Sequence, residues 1–154
     1  MDKFAKGKPA ERQPYFEETA ARRNSTTTAV EKDFWICWTL KHLFPLQGIP
    51  ELRFKGGTSL SKVFGLIDLF SEDIDISIDR AALGFSGARD MANPALSGTK
   101  RKAPDEELRA AITTEVNSGI LPKRHDRFHG ILEHQKWDLA PSQDKNDEIS
   151  PTRS

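Results

Sequence analysis

Glu51-Leu52-Arg53-Phe54-Lys55-Gly56-Gly57-Thr58-Ser59 and Asp73-Ile74-Asp75-Ile76-Ser77-Ile78-Asp79 are the two stretches that decide the fold of this chain. The first alternates apolar and polar residues up to Lys55, which suits a short strand, and Gly56-Gly57 then breaks it. Leu60, Val63, Phe64 and Ile67 follow at i, i+3, i+4 and i+7, so 58–67 is expected to be a short amphipathic helix. The second stretch alternates strictly and is the clearest strand signal in the sequence. Successive side chains on a strand point to opposite faces, so Ile74, Ile76 and Ile78 share one face and Asp73, Asp75, Ser77 and Asp79 the other. Strand, glycine turn, helix and acidic strand, in that order, point to an α/β (α+β) arrangement.

Chemistry follows from that order. Asp73 and Asp75 stand on one face, roughly 7 Å apart at the Cα atoms. Like charges held that close need a cation or a basic partner, and hard oxygen ligands suit Mg²⁺ or Mn²⁺ shared with substrate phosphates. The segment 66–79 carries Asp68, Glu72, Asp73, Asp75 and Asp79 without a base. Gly56 and Gly57 let the backbone approach a phosphate, and free N–H groups at a helix start point toward an anion. Thr58 and Ser59 could add hydroxyl donors, and Lys62 lies about one turn further on. Each half taken alone has a plainer account: an amphipathic strand with a solvated acidic face, and a Gly-Gly turn with a Thr or Ser cap. Nor is the turn a Walker A loop, since G-x-x-x-x-G-K-[ST] is not present. Together the halves complement each other, because a nucleoside triphosphate requires both a phosphate cradle and a cation.

The rest of the sequence sets bounds. Its 154 residues balance 23 Lys+Arg against 23 Asp+Glu, which excludes a generally basic nucleic-acid coat and an acidic tail protein. No apolar run approaches the roughly 20 residues of a membrane helix, and the N-terminus has no apolar core of a secretory signal. A single cysteine, Cys37, excludes an internal disulfide framework and points to a reducing cytoplasm. Residues 1–27 are polar and punctuated by Gly7, Pro9 and Pro14, so a flexible arm is expected, with a short helix near Phe16–Arg23. A domain over 28–140 should follow, and 141–154 should be a disordered tail. Thr28 and Glu31 fit a capping box for a helix that Pro45 stops. Within that helix Trp35 and Trp38 read as core anchors and Cys37 as a packed thiol. The segment 81–103, rich in Gly, Ala and Ser, reads as a loop with short turns.

The residues Lys55-Gly56-Gly57-Thr58-Ser59-Leu60-Ser61-Lys62 followed by Phe70-Ser71-Glu72-Asp73-Ile74-Asp75-Ile76 resemble the AbiEii/AbiGii toxin family, nucleotidyltransferases of the DNA polymerase β-like superfamily. Val30-Glu31-Lys32-Asp33-Phe34-Trp35 is similar to the helix that leads into that motif. The resemblance covers about 28–80 well and continues more weakly to about 122. It implies a nucleotidyltransferase fold, with a mixed sheet flanked by helices, Mg²⁺ (or Mn²⁺), a nucleoside triphosphate substrate, a tRNA or other RNA acceptor, and an AbiEi-type antitoxin of a type IV system. Gly56, Gly57, Thr58 and Ser59, with Lys62 nearby, would meet the triphosphate. Asp73 and Asp75 would be the catalytic carboxylates that hold the metal.

Departures from the family pattern are also legible. Members are commonly about twice as long and carry a later Lys and Asp that have no counterpart here, so truncation on the C-terminal side is expected. The alternative to an enzyme is then a non-catalytic remnant that binds a nucleotide or an antitoxin. Asp138 is the nearest third carboxylate, without a strand to support it. His125 and His129 lie at i, i+4 and could share a helix face as in a zinc site. There is no H-E-x-x-H pattern, however, and a solvated face is the simpler account. Lys100-Arg101-Lys102 and Lys123-Arg124-His125-Asp126-Arg127 could touch an RNA backbone or be solvated surface.

Overall fold

A computed structural model of the chain describes residues 1–57, 59, 74–90, 102–132 and 137. Helices dominate: α1 (Asp2–Ala5), α2 (Pro9–Arg23), α3 (Thr27–Leu43), α4 (Lys102–Glu115) and α5 (Leu121–Leu132). A π-helical turn, Val116–Ile120, joins α4 to α5. Between α3 and α4 lie the strands β1 (Leu52–Lys55) and β2 (Asp75–Ile78), followed by 3-10 turns at Ala81–Leu83 and Gly87–Arg89. Among the described residues the sheet is this one antiparallel pair. The α+β class expected from the sequence is what the chain adopts. The expected helix over 58–67 lies outside the described residues except at Ser59, which is helical.

Residues 1–23, read from composition as a loose arm with a short helix near Phe16–Arg23, form two helices packed on α3, and the helix that contains Phe16–Arg23 already begins at Pro9. Pro9 occupies the first helical position, where a missing N–H costs nothing, and Glu11 accepts the Lys8 N–H at 3.0 Å to close the start of α2. Pro14 lies inside α2 and the helix continues past it. Few apolar residues are needed because those present are aromatic and meet one another. Phe4 packs edge-on against Phe16 and Phe34 at centroid distances of 5.5 and 5.0 Å. The series runs on through Trp35 and Trp38 to Phe128 of α5, 4.7 Å from Trp38. Such pairs add about 0.5–1.5 kcal/mol each beyond their burial. Trp38, 1% exposed, is the centre of the core with Ala5, Phe128 and Leu132 around it. Both tryptophans of α3 therefore serve as core anchors, as expected.

The start of α3 differs from the expected cap. Thr26, not Thr28, is the N-cap, and its side chain accepts the Ala29 N–H at 3.2 Å. Three consecutive threonines offer the same cap chemistry, and the helix uses the first, gaining two residues. Glu31 is then free of capping and accepts from Trp35 Nε1 at 3.5 Å. The helix ends at Leu43, just before Pro45, as the proline dictates.

Two polar ties hold the helical body. Arg12, 5% exposed, donates from Nη1 to the carbonyls of Ala5 (2.9 Å) and Gly7, while its guanidinium lies over Trp35. Asp2 accepts from Trp38 Nε1 (3.1 Å) and Lys41 Nζ (2.9 Å) and faces His42 Nε2 at 2.9 Å, so one carboxylate fastens α1 to three positions of α3. The Lys41 hydrogen bond, followed by His42, holds the Asp2 carboxyl well below the usual carboxylate range. A depressed carboxyl stabilises the fold above its unfolded pKa, about 3.9, and loses that contribution as pH falls through the folded value. Asp2→Asn should therefore lower the melting temperature at neutral pH, and the gap from the unsubstituted protein should narrow below about pH 4. With the Asp2 side chain 39% exposed, solvent screening keeps the expected loss near ~1 kcal/mol.

Candidate functional site

The sheet places the site. In the antiparallel register Leu52 faces Ile78, Arg53 faces Ser77, Phe54 faces Ile76 and Lys55 faces Asp75. Opposed residues share a face. Leu52, Phe54, Ile76 and Ile78 therefore form one apolar side, which meets α3's C-cap residue Phe44 through Phe54 at 6.4 Å. Arg53, Lys55, Asp75 and Ser77 form the polar side. Pairing continues past β2, with the Asp79 N–H donating to the Glu51 carbonyl at 3.0 Å. The segment leading into β1 is fixed from elsewhere in the fold, since Lys123 of α5 donates to the carbonyls of Gln47 (3.1 Å) and Gly48.

At the end of β1 the chain enters the following helix through Gly56 and Gly57. Gly56 has φ +70°, the left-handed region open to glycine. A Cβ placed there would lie 2.8 Å from Asp75 Cγ and 3.1 Å from Asp75 Cβ. The carboxylate of Asp75 therefore rests against the bare Cα of Gly56, and only glycine leaves room for it. Ser59 is buried at 6% exposure, and its hydroxyl donates to the Gly56 carbonyl at 2.8 Å. That hydroxyl proton is engaged in shaping the turn rather than pointed outward. Asp75 itself is exposed.

Of the residues singled out from the sequence, Gly56, Gly57, Ser59 and Asp75 are described, and Gly56, Ser59 and Asp75 are joined in the geometry above. Thr58, Lys62 and Asp73 lie outside the described residues, as does Asp138. Among the described residues no group of three or more His, Cys, Asp or Glu side chains is arranged to hold a metal ion. The described part of the expected donor set is the Asp75 carboxylate, a hard and exposed oxygen donor of the kind Mg²⁺ or Mn²⁺ takes.

The sequence reading passed over Lys55 as a site residue. Its place directly across from Asp75 depends on a register linking segments some distance apart in the chain. Together, Arg53 and Lys55 set positive charge on the same side as the acidic strand, which offsets the repulsion that the alternation alone implied. Among the described residues no helix is long and apolar enough to cross a membrane.

A comparison with protein families gives a match over residues 38–144 to the nucleotidyl transferase AbiEii toxin of type IV toxin–antitoxin systems. No curated protein and no solved structure matches the chain. The family match takes in α3 from Trp38 onward, both strands, the glycine turn and the two later helices, well over half of the 154 residues. The chain belongs to the AbiEii nucleotidyl transferase toxin family, with the nucleotidyl-transfer toxin role and the antitoxin partner that a type IV system implies.

Proposed function

We propose that this chain transfers a nucleotidyl group from a nucleoside triphosphate to an acceptor hydroxyl, with RNA as the favoured acceptor and Mg²⁺ or Mn²⁺ as cofactor. The observation that carries this reading is the contact between Gly56 and Asp75, which joins the candidate phosphate turn to the candidate metal carboxylate. In such a transfer the acceptor oxygen bonds to the α-phosphorus as the bond to pyrophosphate breaks. Gly56 and Gly57, with no side chains in the way, let the turn's backbone approach the phosphates. Ser59 keeps the turn in shape from beneath. Asp75, with Asp73 as its expected partner, would hold the cation. When bound, the cation supplies charge neutralisation for the phosphates and the departing pyrophosphate. Lys55 adds a positive charge on the side of the sheet where the triphosphate would lie.

The test is incubation of the full chain with each α-labelled nucleoside triphosphate and an RNA acceptor. Label is expected to enter the acceptor with Mg²⁺ or Mn²⁺ and to stop entering once EDTA removes the metal. Calorimetry in parallel separates the alternative: metal-dependent binding of a triphosphate without any transfer would identify a non-catalytic remnant.

A further inference from the structure

We propose that His125 and His129 on α5 form a binding site for a borderline divalent transition metal, Cu²⁺, Ni²⁺ or Zn²⁺, separate from the carboxylate site on the sheet. The two histidines lie one helical turn apart, so their side chains leave the same flank. Their rings are 5.9 Å apart at the centroids and within 8° of parallel. Both are solvent-exposed, with 54% of the His125 side chain accessible. Turning both side chains about χ1 and χ2 out of this parallel arrangement would bring one nitrogen of each ring onto a single ion at metal–nitrogen distances of about 2.0–2.1 Å.

Two neighbours complete the case. Asp126 Oδ1 lies 3.7 Å from His125 Nδ1, within reach of a small rotation or one bridging water. A carboxylate there favours the proton on Nδ1 and leaves the Nε2 lone pair for a metal, the arrangement by which second partners orient metal-binding imidazoles. Trp137 borders the pair, its ring 5.1 Å from His125 and 6.4 Å from His129, and is itself seated against Phe128 of the core. The indole walls one side of the site and places a fluorophore beside it.

Imidazole pairs select metals differently from carboxylates. Nitrogen ligands follow the order in which Cu²⁺ binds more tightly than Ni²⁺ or Zn²⁺, whereas Mg²⁺ prefers oxygen. Two protein ligands leave the remaining positions to water, so the bound ion should exchange readily. The site does not rest on the transferase reading and can stand or fall without it.

The experiment uses the full chain without a histidine tag, titrated with CuCl₂, NiCl₂, ZnCl₂ and MgCl₂ by calorimetry and by tryptophan emission. Saturable one-to-one binding of Cu²⁺, weaker binding of Ni²⁺ and Zn²⁺ and none of Mg²⁺ is expected, with Cu²⁺ and Ni²⁺ quenching part of the emission. His125→Ala and His129→Ala should each weaken Cu²⁺ by at least about tenfold while circular dichroism stays unchanged, both positions being exposed. Trp137→Phe should remove the quench yet leave the calorimetric binding. A His125→Ala/His129→Ala double variant that still binds Cu²⁺ like the unsubstituted chain would overturn the site, as would an unsubstituted chain that shows no saturable binding.

Discussion

Asp75→Asn is expected to cut nucleotidyl transfer by at least about a hundredfold while leaving the fold intact. The substitution keeps the shape of the side chain and removes its charge. Asp75 is exposed at the start of β2, so no buried partner is orphaned and the change in stability should stay within about 0.5 kcal/mol. What changes is the donor chemistry, because a neutral amide is a far poorer ligand than a carboxylate for a hard dication. The measurement is transfer of labelled nucleotide at saturating Mg²⁺, alongside a thermal melt. Transfer at the unsubstituted rate would show that this carboxylate holds no essential cation.

Gly56→Ala is expected to be nearly as damaging to transfer, for a different reason. An alanine at φ +70° carries a backbone penalty of about 1–2 kcal/mol. Its methyl group would also enter the space of the Asp75 side chain, at 2.8 Å from Cγ. The deepest overlap is with Asp75 Oδ2, and Cγ and Cβ are close behind it, so the carboxylate must swing away or the strands must part. A displacement near 1 Å at a reacting centre can lower a rate about a hundredfold. Gly84 supplies the control, since its φ is +82° and a Cβ there would meet nothing within 4 Å. Gly84→Ala should carry a similar stability penalty and keep its transfer activity. Equal activities for the two variants, measured below the melting transition of both, would mean that the Gly56–Asp75 contact has no part in the chemistry.

How much of this was legible in the sequence can be argued residue by residue. The alternation around Ile74, Ile76 and Ile78 marked β2, and Gly56-Gly57 marked the turn, because both signals are local. The fit of Asp75 against Gly56 was not legible. It depends on an antiparallel register between segments that the sequence separates, and periodicity says nothing about register. Lys55 escaped notice for the same reason. Of the N-terminal helices only the stretch near Phe16–Arg23 was legible, because polar composition and two prolines make the rest look like a loose segment. Pro9 in fact occupies the position where a helix tolerates proline best, and Phe4, Ala5 and Phe16 find aromatic partners on α3. The cap of α3 was misplaced because adjacent threonines are interchangeable to a pattern and not to a backbone.

The aromatic series from Phe4 to Phe128 and the paired strands β1 and β2 divide the labour of the described residues. Cohesion comes from the helices, whereas the residues proposed to do chemistry sit on a short ribbon beside them. Among the described residues the ribbon has two strands, which alone are barely self-sustaining, so its geometry is borrowed from its surroundings, through Phe44 against Phe54 and through the Lys123 clamp on the segment before β1. Mutational drift in this protein therefore has two separable outcomes. Changes in the helical interior alter how much folded protein a cell holds, and changes on the ribbon alter what each folded copy can do. For a toxin, the second is the route by which a lineage could lose its potency while keeping its shape.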